Sequence, residues 1–176
     1  MNNVMRRGLQ DIQTLQRIYL KSLIQPGDIT VDATAGLGRD TVFLAESVGS
    51  EGKVYAFDIQ EEAISATDAL LEKQGLSERV QLIHDSHSEM LNYVQEKATA
   101  VVFNLGYLPR SDHGIITKAH TTIQAVESAL KILKTGGIMC LTVYRDMREG
   151  WKNLMHYSHF FLTSLSRILV YCKENI

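Results

Sequence analysis

The sequence predicts a doubly wound α/β fold, and three observations carry that prediction. Short apolar runs alternate with stretches of helical period along nearly the whole chain. A Gly-x-Gly turn, Gly36-Leu37-Gly38, stands between the first apolar run and the helix after it. Only two prolines, Pro26 and Pro109, punctuate the chain, and neither falls inside a predicted strand or helix.

In chain order, Ile12, Leu15, Tyr19 and Leu23 recur at spacings of three and four, which predicts an amphipathic helix ending before Pro26-Gly27. Residues 29–33 are the first strand, and 41–47 the helix after the glycine turn. "KVYAFD" is the second strand, and a helix over 61–74 stops at Gly75. "RVQLIH" is the third strand, followed by a helix over 89–96 and the buried strand "TAVVFN". A long helix carries the stripe Ile115, Ala119, Ile123, Val126, Leu130 and Leu133, and Gly136-Gly137 end it. "IMCLTV" is the fifth strand, with a short helix around 151–155. "HFFLTSLSRILVYCK" reads as two strands joined by a tight turn at 164–167. The sum is a Rossmann-like, mostly parallel sheet of seven strands, helices on both faces, closing in a C-terminal antiparallel hairpin.

The 176 residues, 45% hydrophobic and 22% charged, suit one domain spanning 1–176. No apolar run is long enough to cross a bilayer, and "MNNVMRRGLQDIQ" is too polar for a signal peptide, so the expected location is cytoplasmic. Cys140 and Cys172 lie in apolar stretches and read as packed thiols. His156 and His159 sit among aromatics and do not make a metal site. A net charge of −2 excludes a globally basic nucleic-acid binder, so an RNA partner needs a local patch. Its candidates are Arg6, Arg7, Arg17 and Lys21, then Arg110 and Lys118, then Arg145, Arg148 and Lys152.

In doubly wound sheets the turn after the first strand seats a ligand. Asp58 ends the second strand about 20 residues beyond the turn, where an acid grips ribose hydroxyls. A pyrophosphate-binding turn wants a third glycine where this chain has Thr41, and Asp32 would repel phosphate. The same carboxylate suits the ammonium and sulfonium of S-adenosylmethionine. After the third strand, "HDSH" offers Asp85 and Ser86 to an adenine amino group, with His87 beside them. Asp40 either touches the cofactor or caps the following helix.

The run Asp32-Ala33-Thr34-Ala35-Gly36-Leu37-Gly38-Arg39-Asp40, with Asp58, resembles the first motif and acidic second strand of class I S-adenosylmethionine-dependent methyltransferases. Residues 103–137, and above all Asn104-Leu105-Gly106-Tyr107-Leu108-Pro109, resemble a small Firmicute family labelled rRNA methylases, whose members act as tRNA methyltransferases on the wobble uridine. The resemblance spans roughly residues 10–145. It implies N-methylation of the 5-aminomethyl group of (2-thio)uridine in the tRNA anticodon stem-loop.

Two stretches depart from the family pattern. Gly-Asn-Gly-His-Asp is replaced by Gly36-Leu37-Gly38-Arg39-Asp40, a spelling similar to 16S rRNA guanine-N2 methyltransferases, although their Asp-Pro after the fourth strand is absent. The loop after the fifth strand, Tyr144 to Gly150, lacks the usual Gly-His-x-Gly-Gly-like run. The rival readings are an rRNA guanine-N2 methyltransferase, a small-molecule methyltransferase, and a cofactor-binding member without transfer activity.

Methyl transfer to an amine needs a neutral nitrogen aimed at the sulfonium methyl in a site that excludes water. Asn104 Oδ1 and the Leu105 carbonyl can accept hydrogen bonds from that amine, and Tyr107 offers a face for a base to stack on. The expected cofactor residues are Asp32, Ala33, Thr34, Gly36, Gly38, Asp40, Thr41, Asp58, Ile59, Asp85, Ser86, His87 and Asn104. Tyr107, Pro109, Arg110 and His113 are expected at the RNA, and a homodimer would help so small a domain span a tRNA stem.

Overall fold

The computed structural model describes residues 14–105, 119–144 and 167–173. A helix over 14–23 (α1) leads into β1 (Ile29–Asp32), α2 (Arg39–Val48), β2 (Lys53–Asp58), α3 (Glu61–Gln74) and β3 (Val80–His84). A 3-10 turn and the single-turn helix α4 (Met90–Tyr93) precede β4 (Ala98–Leu105). Helix α5 (Ala119–Ile132), β5 (Leu133–Tyr144) and β6 (Arg167–Lys173) follow.

The strands form one sheet in the order β3-β2-β1-β4-β5-β6, and every neighbouring pair is parallel. From β1 the chain winds outward through β2 to β3, then returns to lay β4 on the other side of β1. The reversal opens a crevice beyond the carboxyl ends of β1 and β4, where doubly wound sheets bind ligands.

Period-two alternation divides the core between the two faces. Val101, Phe103 and Leu105 of β4 join Val31, Phe57, Met139 and Leu141 against Val126 and Ala129 of α5. Ala100 and Val102 face the other way, toward Leu20 of α1, Ile24 just after it, Leu44 and Val48 of α2 and Leu71 of α3. Wholly buried side chains such as Phe57 and Phe103 contribute about 1.5–3 kcal/mol each. Cys140 belongs to this core, and burial pushes its thiol up to about 12, so it packs and does not react.

Four expectations need correction. The sheet has six strands among the described residues and no antiparallel member. Arg167, placed in a hairpin turn by the sequence, instead begins β6, which runs parallel to β5 from Ile138↔Arg167 to Tyr144↔Lys173. Parallel pairing requires a crossover of a dozen or more residues, and the stretch 145–166 is long enough to supply one. The partner strand proposed upstream of the hairpin turn, and the helix at 151–155, lie outside the described residues.

The other three concern helices. The core takes Leu20 of α1 and Ile24 just beyond it, while Leu15 and Tyr19 of the predicted stripe are exposed. The helix expected at 89–96 is one turn long, because backbone at Val94 is already extended. Gly136-Gly137 do not end α5 but lie within β5, where pairing steps from Ala98↔Leu133 to Ala100↔Ile138 through a bulge, with Gly136 at φ 78°. Among the described residues no helix is long and apolar enough to cross a membrane.

Candidate functional site

The turn after β1 is a closed hydrogen-bonded unit. Asp32 is 1% exposed, and its two oxygens accept from the Thr34 backbone N–H (3.1 Å) and the Thr41 hydroxyl (2.7 Å). Burial raises its pKa to about 7, the nearby Asp40 adds to the rise, and the two hydrogen bonds oppose it. Thr41, where a pyrophosphate turn would carry glycine, is itself fully buried. Asp32 and Thr41 thus shape the turn from behind.

Gly36 and Gly38 adopt left-handed backbone (φ 55° and 77°), and Gly38 is the N-cap of α2. A Cβ on Gly38 would stand 3.1 Å from the backbone and side chain of Thr67, whose hydroxyl donates to the Gly36 carbonyl at 3.2 Å. Asp58, half-buried at the end of β2, accepts from the Gly36 N–H on one oxygen (2.9 Å) and the Gln60 N–H on the other (3.0 Å). A carboxylate oxygen has two lone pairs, so each keeps acceptor capacity for a further donor. Ile59 stands next to it, 49% exposed.

On the far side of the crevice, His87 approaches from the turn after β3. Its Nδ1 lies 3.1 Å from the Ala33 carbonyl, which can only accept, so Nδ1 carries the proton and Nε2 holds a lone pair. Burial lowers the pKa of the ring and keeps it neutral, and it packs edge-on to Phe103. Nε2 is buried without a hydrogen-bond partner among the described residues. Asp85 is held by the Ser86 N–H (2.7 Å) and the Tyr93 hydroxyl (2.8 Å), while Ser86 caps the 3-10 turn by accepting from the Ser88 N–H. The bond to Asp85 raises the Tyr93 pKa.

Asn104 ends the crevice on β4, opposite Thr142 of β5. Its backbone N–H donates to Thr34 Oγ1 at 2.7 Å, tying β4 to the glycine turn. Its side-chain Nδ2 donates to Asp40 Oδ2 at 3.4 Å, and its Oδ1 is buried without a partner among the described residues. Asp40 makes no capping bond to α2; its other oxygen is ion-paired to Arg17 Nη2 at 3.0 Å. Gln16, Arg17, Asp40, Phe43, Asn104 and Thr142 line a narrow cleft here.

The model of the family described as "Putative rRNA methylase" matches residues 54–169. The chain belongs to that family. A family structure from Clostridium thermocellum is 40% identical, with a TM-score of 0.76 over 86% of this chain and 82% of its own. A Streptococcus mutans protein described as a methyltransferase, solved in complex with SAH, is 36% identical with a TM-score of 0.72, covering 81% and 80% of the two chains. The chloroplastic tRNA (mnm(5)s(2)U34)-methyltransferase of Arabidopsis thaliana is 40% identical over 169 residues, 84% of this chain and 62% of the relative, so the chain spans under two thirds of that protein.

The turn, β2, β3 and β4 thus bring Ala33, Thr34, Gly36, Gly38, Asp40, Asp58, His87 and Asn104 to one edge of the sheet. Leu105 follows Asn104 with its side chain in the core. Tyr107, Pro109, Arg110 and His113 lie outside the described residues. The sequence reading put Arg17 with the RNA-binding cations and gave it no place in this cluster. Its signal was available, because Arg17, Leu20 and Ile24 share one helical face and a cation on a buried face needs a partner.

Proposed function

We propose that this chain is an S-adenosylmethionine-dependent RNA methyltransferase that methylates the 5-aminomethyl nitrogen of (2-thio)uridine at the tRNA wobble position. The observation that carries the reading is Asn104 Oδ1, a buried acceptor near the end of β4 with no partner among the described residues. A buried polar atom without a partner costs about 1–3 kcal/mol, which a donor supplied by a ligand would relieve.

The crevice fits the cofactor. His87 Nε2, an acceptor without a partner among the described residues, and the spare lone pairs of Asp58 call for a ligand rich in donors. Asp58 would take ribose hydroxyls, His87 and the Asp85 region the adenine side, and the backbone of Ala33 to Gly38 the methionine end. Asp32, behind the turn, would contribute a favourable field for the ammonium rather than a contact. When bound, the cofactor supplies an electrophilic methyl.

The protein's own part is then to present the nucleophile. An alkylamine has a pKa of about 10.4 in water, and a cramped, partly apolar cleft next to a cation favours its neutral form. Asn104 Oδ1 and the Leu105 carbonyl would accept its two N–H bonds, leaving the nitrogen lone pair directed at the methyl. A wobble base is already unpaired, so little unstacking energy is needed to bring it in. The 40% identity to a relative named for this modification supports the substrate.

Nucleoside mass spectrometry of tRNA from a deletion strain tests this, followed by incubation of that tRNA with protein and S-adenosylmethionine. Accumulated 5-aminomethyl-2-thiouridine that gains one CH2 in vitro is the expected result. An unchanged tRNA profile with label entering ribosomal subunits instead would establish the rRNA reading that the family's description favours.

A further inference from the structure

The cleft beside Asn104 contains an ion pair that neither the glycine turn nor the core requires. Arg17 reaches from α1 and donates through Nη2 to Asp40 Oδ1 (3.0 Å) and the Arg39 carbonyl (3.3 Å), with its guanidinium carbon 5.3 Å from the centre of the Phe43 ring. Its side chain is 43% exposed and that of Asp40 27%, and so exposed a pair adds little to stability. Asp40 Oδ2 meanwhile receives Asn104 Nδ2.

We infer that Arg17 is a positioning residue for Asn104, acting through Asp40 to fix which end of the amide faces the substrate amine. The inference rests on the amine-methylation reading of Asn104. An asparagine amide turned over would present its NH2 group to the amine, pairing donor with donor and occupying the lone pair that must attack. A carboxylate accepts and does not donate, so Asp40 selects the orientation with nitrogen toward itself and Oδ1 toward the ligand.

Asp40 can do this only while its own oxygens are held. Arg17 takes one of them and leaves the other for Asn104, and stacking on Phe43 restrains the guanidinium. The cation also offsets the repulsion between Asp40 and the buried Asp32 carboxylate. Without Arg17, Asp40 is free to rotate toward solvent and the amide loses its guide.

The test combines kinetics with a readout that does not depend on turnover. Arg17→Ala is expected to lower kcat on the tRNA about tenfold while KM for tRNA and the calorimetric Kd for SAH stay within about twofold. Arg17→Lys should recover part of the loss, and the double variant Arg17→Ala/Asn104→Ala should be no slower than Asn104→Ala alone. A raised KM with kcat preserved, or losses that multiply, would overturn the inference and make Arg17 an RNA contact.

The side-chain NH2 signals of Asn104, assigned by their disappearance in Asn104→Ala, should shift in the 15N spectrum of Arg17→Ala while backbone dispersion persists. Should wild-type protein transfer no methyl to tRNA, the wobble reading fails and this spectrum alone decides the relay. Unmoved Asn104 signals overturn it, and shifted signals uphold it.

Discussion

At the scale of single residues, the site is governed by what each polar atom lacks. Asn104→Ala removes the orphaned acceptor, so methyl transfer should fall roughly 10- to 100-fold, as expected for about 1.4–3 kcal/mol of lost transition-state bonding. Titration of SAH into the variant by calorimetry should show little change. Asp32 makes a different prediction. Its pKa of about 7 lies above the ordinary carboxylate value, so between the two the folded state binds the extra proton. Stability should therefore fall as pH rises from about 4 to about 7, by no more than about 1.4 kcal/mol per pH unit, and level off above. In Asp32→Asn an amide can still accept from the Thr34 N–H and pair with the Thr41 hydroxyl, and thermal melts across that range should lose the slope. A slope that survives would mean that another group carries it.

At the scale of elements, the glycine turn was legible because its demands are steric. Gly38 combines positive φ with a close approach to Thr67, so a methyl group there would need Thr67 to give by a few tenths of an ångström. Gly38→Ala should cost about 1–3 kcal/mol. For a chain of this length that is roughly 2–4 °C in Tm per kcal/mol, read by calorimetry. A melt unchanged from wild type would show that the turn relaxes freely. Helix α3 was equally legible, since Gly75 in left-handed backbone closes it where the sequence placed the stop. Helix α1 was not. Leu15, Tyr19 and Leu23 form a convincing stripe, and Leu23 does pack on the core, yet Leu15 and Tyr19 are exposed while Leu20 and Ile24 are buried, and the face turned inward includes Arg17, which a search for apolar periodicity passes over. The partners of Arg17 lie more than 20 residues away, a distance that no local pattern encodes. The parallel setting of β6 was hidden for a related reason: a polar turn signal predicts a hairpin locally, while pairing direction depends on how the chain between β5 and β6 travels.

At the scale of the whole molecule, the alternation of apolar runs with helical stretches was enough to specify the winding, and the winding places the site. Asp32 and Asp58 end β1 and β2, and Asn104 is the last but one residue of β4; these are three adjacent interior strands of the sheet. β4 is almost wholly buried along its length, whereas the edge strand β3 is largely half-exposed. A ligand at this crevice therefore grips the strands whose separation is global unfolding, so its binding energy should appear in full as stability. At 100-fold excess over Kd the gain is about 2.7 kcal/mol, which for a chain of this size is a rise in Tm of roughly 5–11 °C. SAH titrated into wild-type protein and followed by calorimetry should show that rise, increasing with the logarithm of ligand concentration. Hydrogen exchange should show added protection centred on β1, β2 and β4, with β3 changing least. Protection confined to the turn after β3, with Tm unmoved, would place the ligand off the sheet edge and refute the cofactor assignment of Asp58.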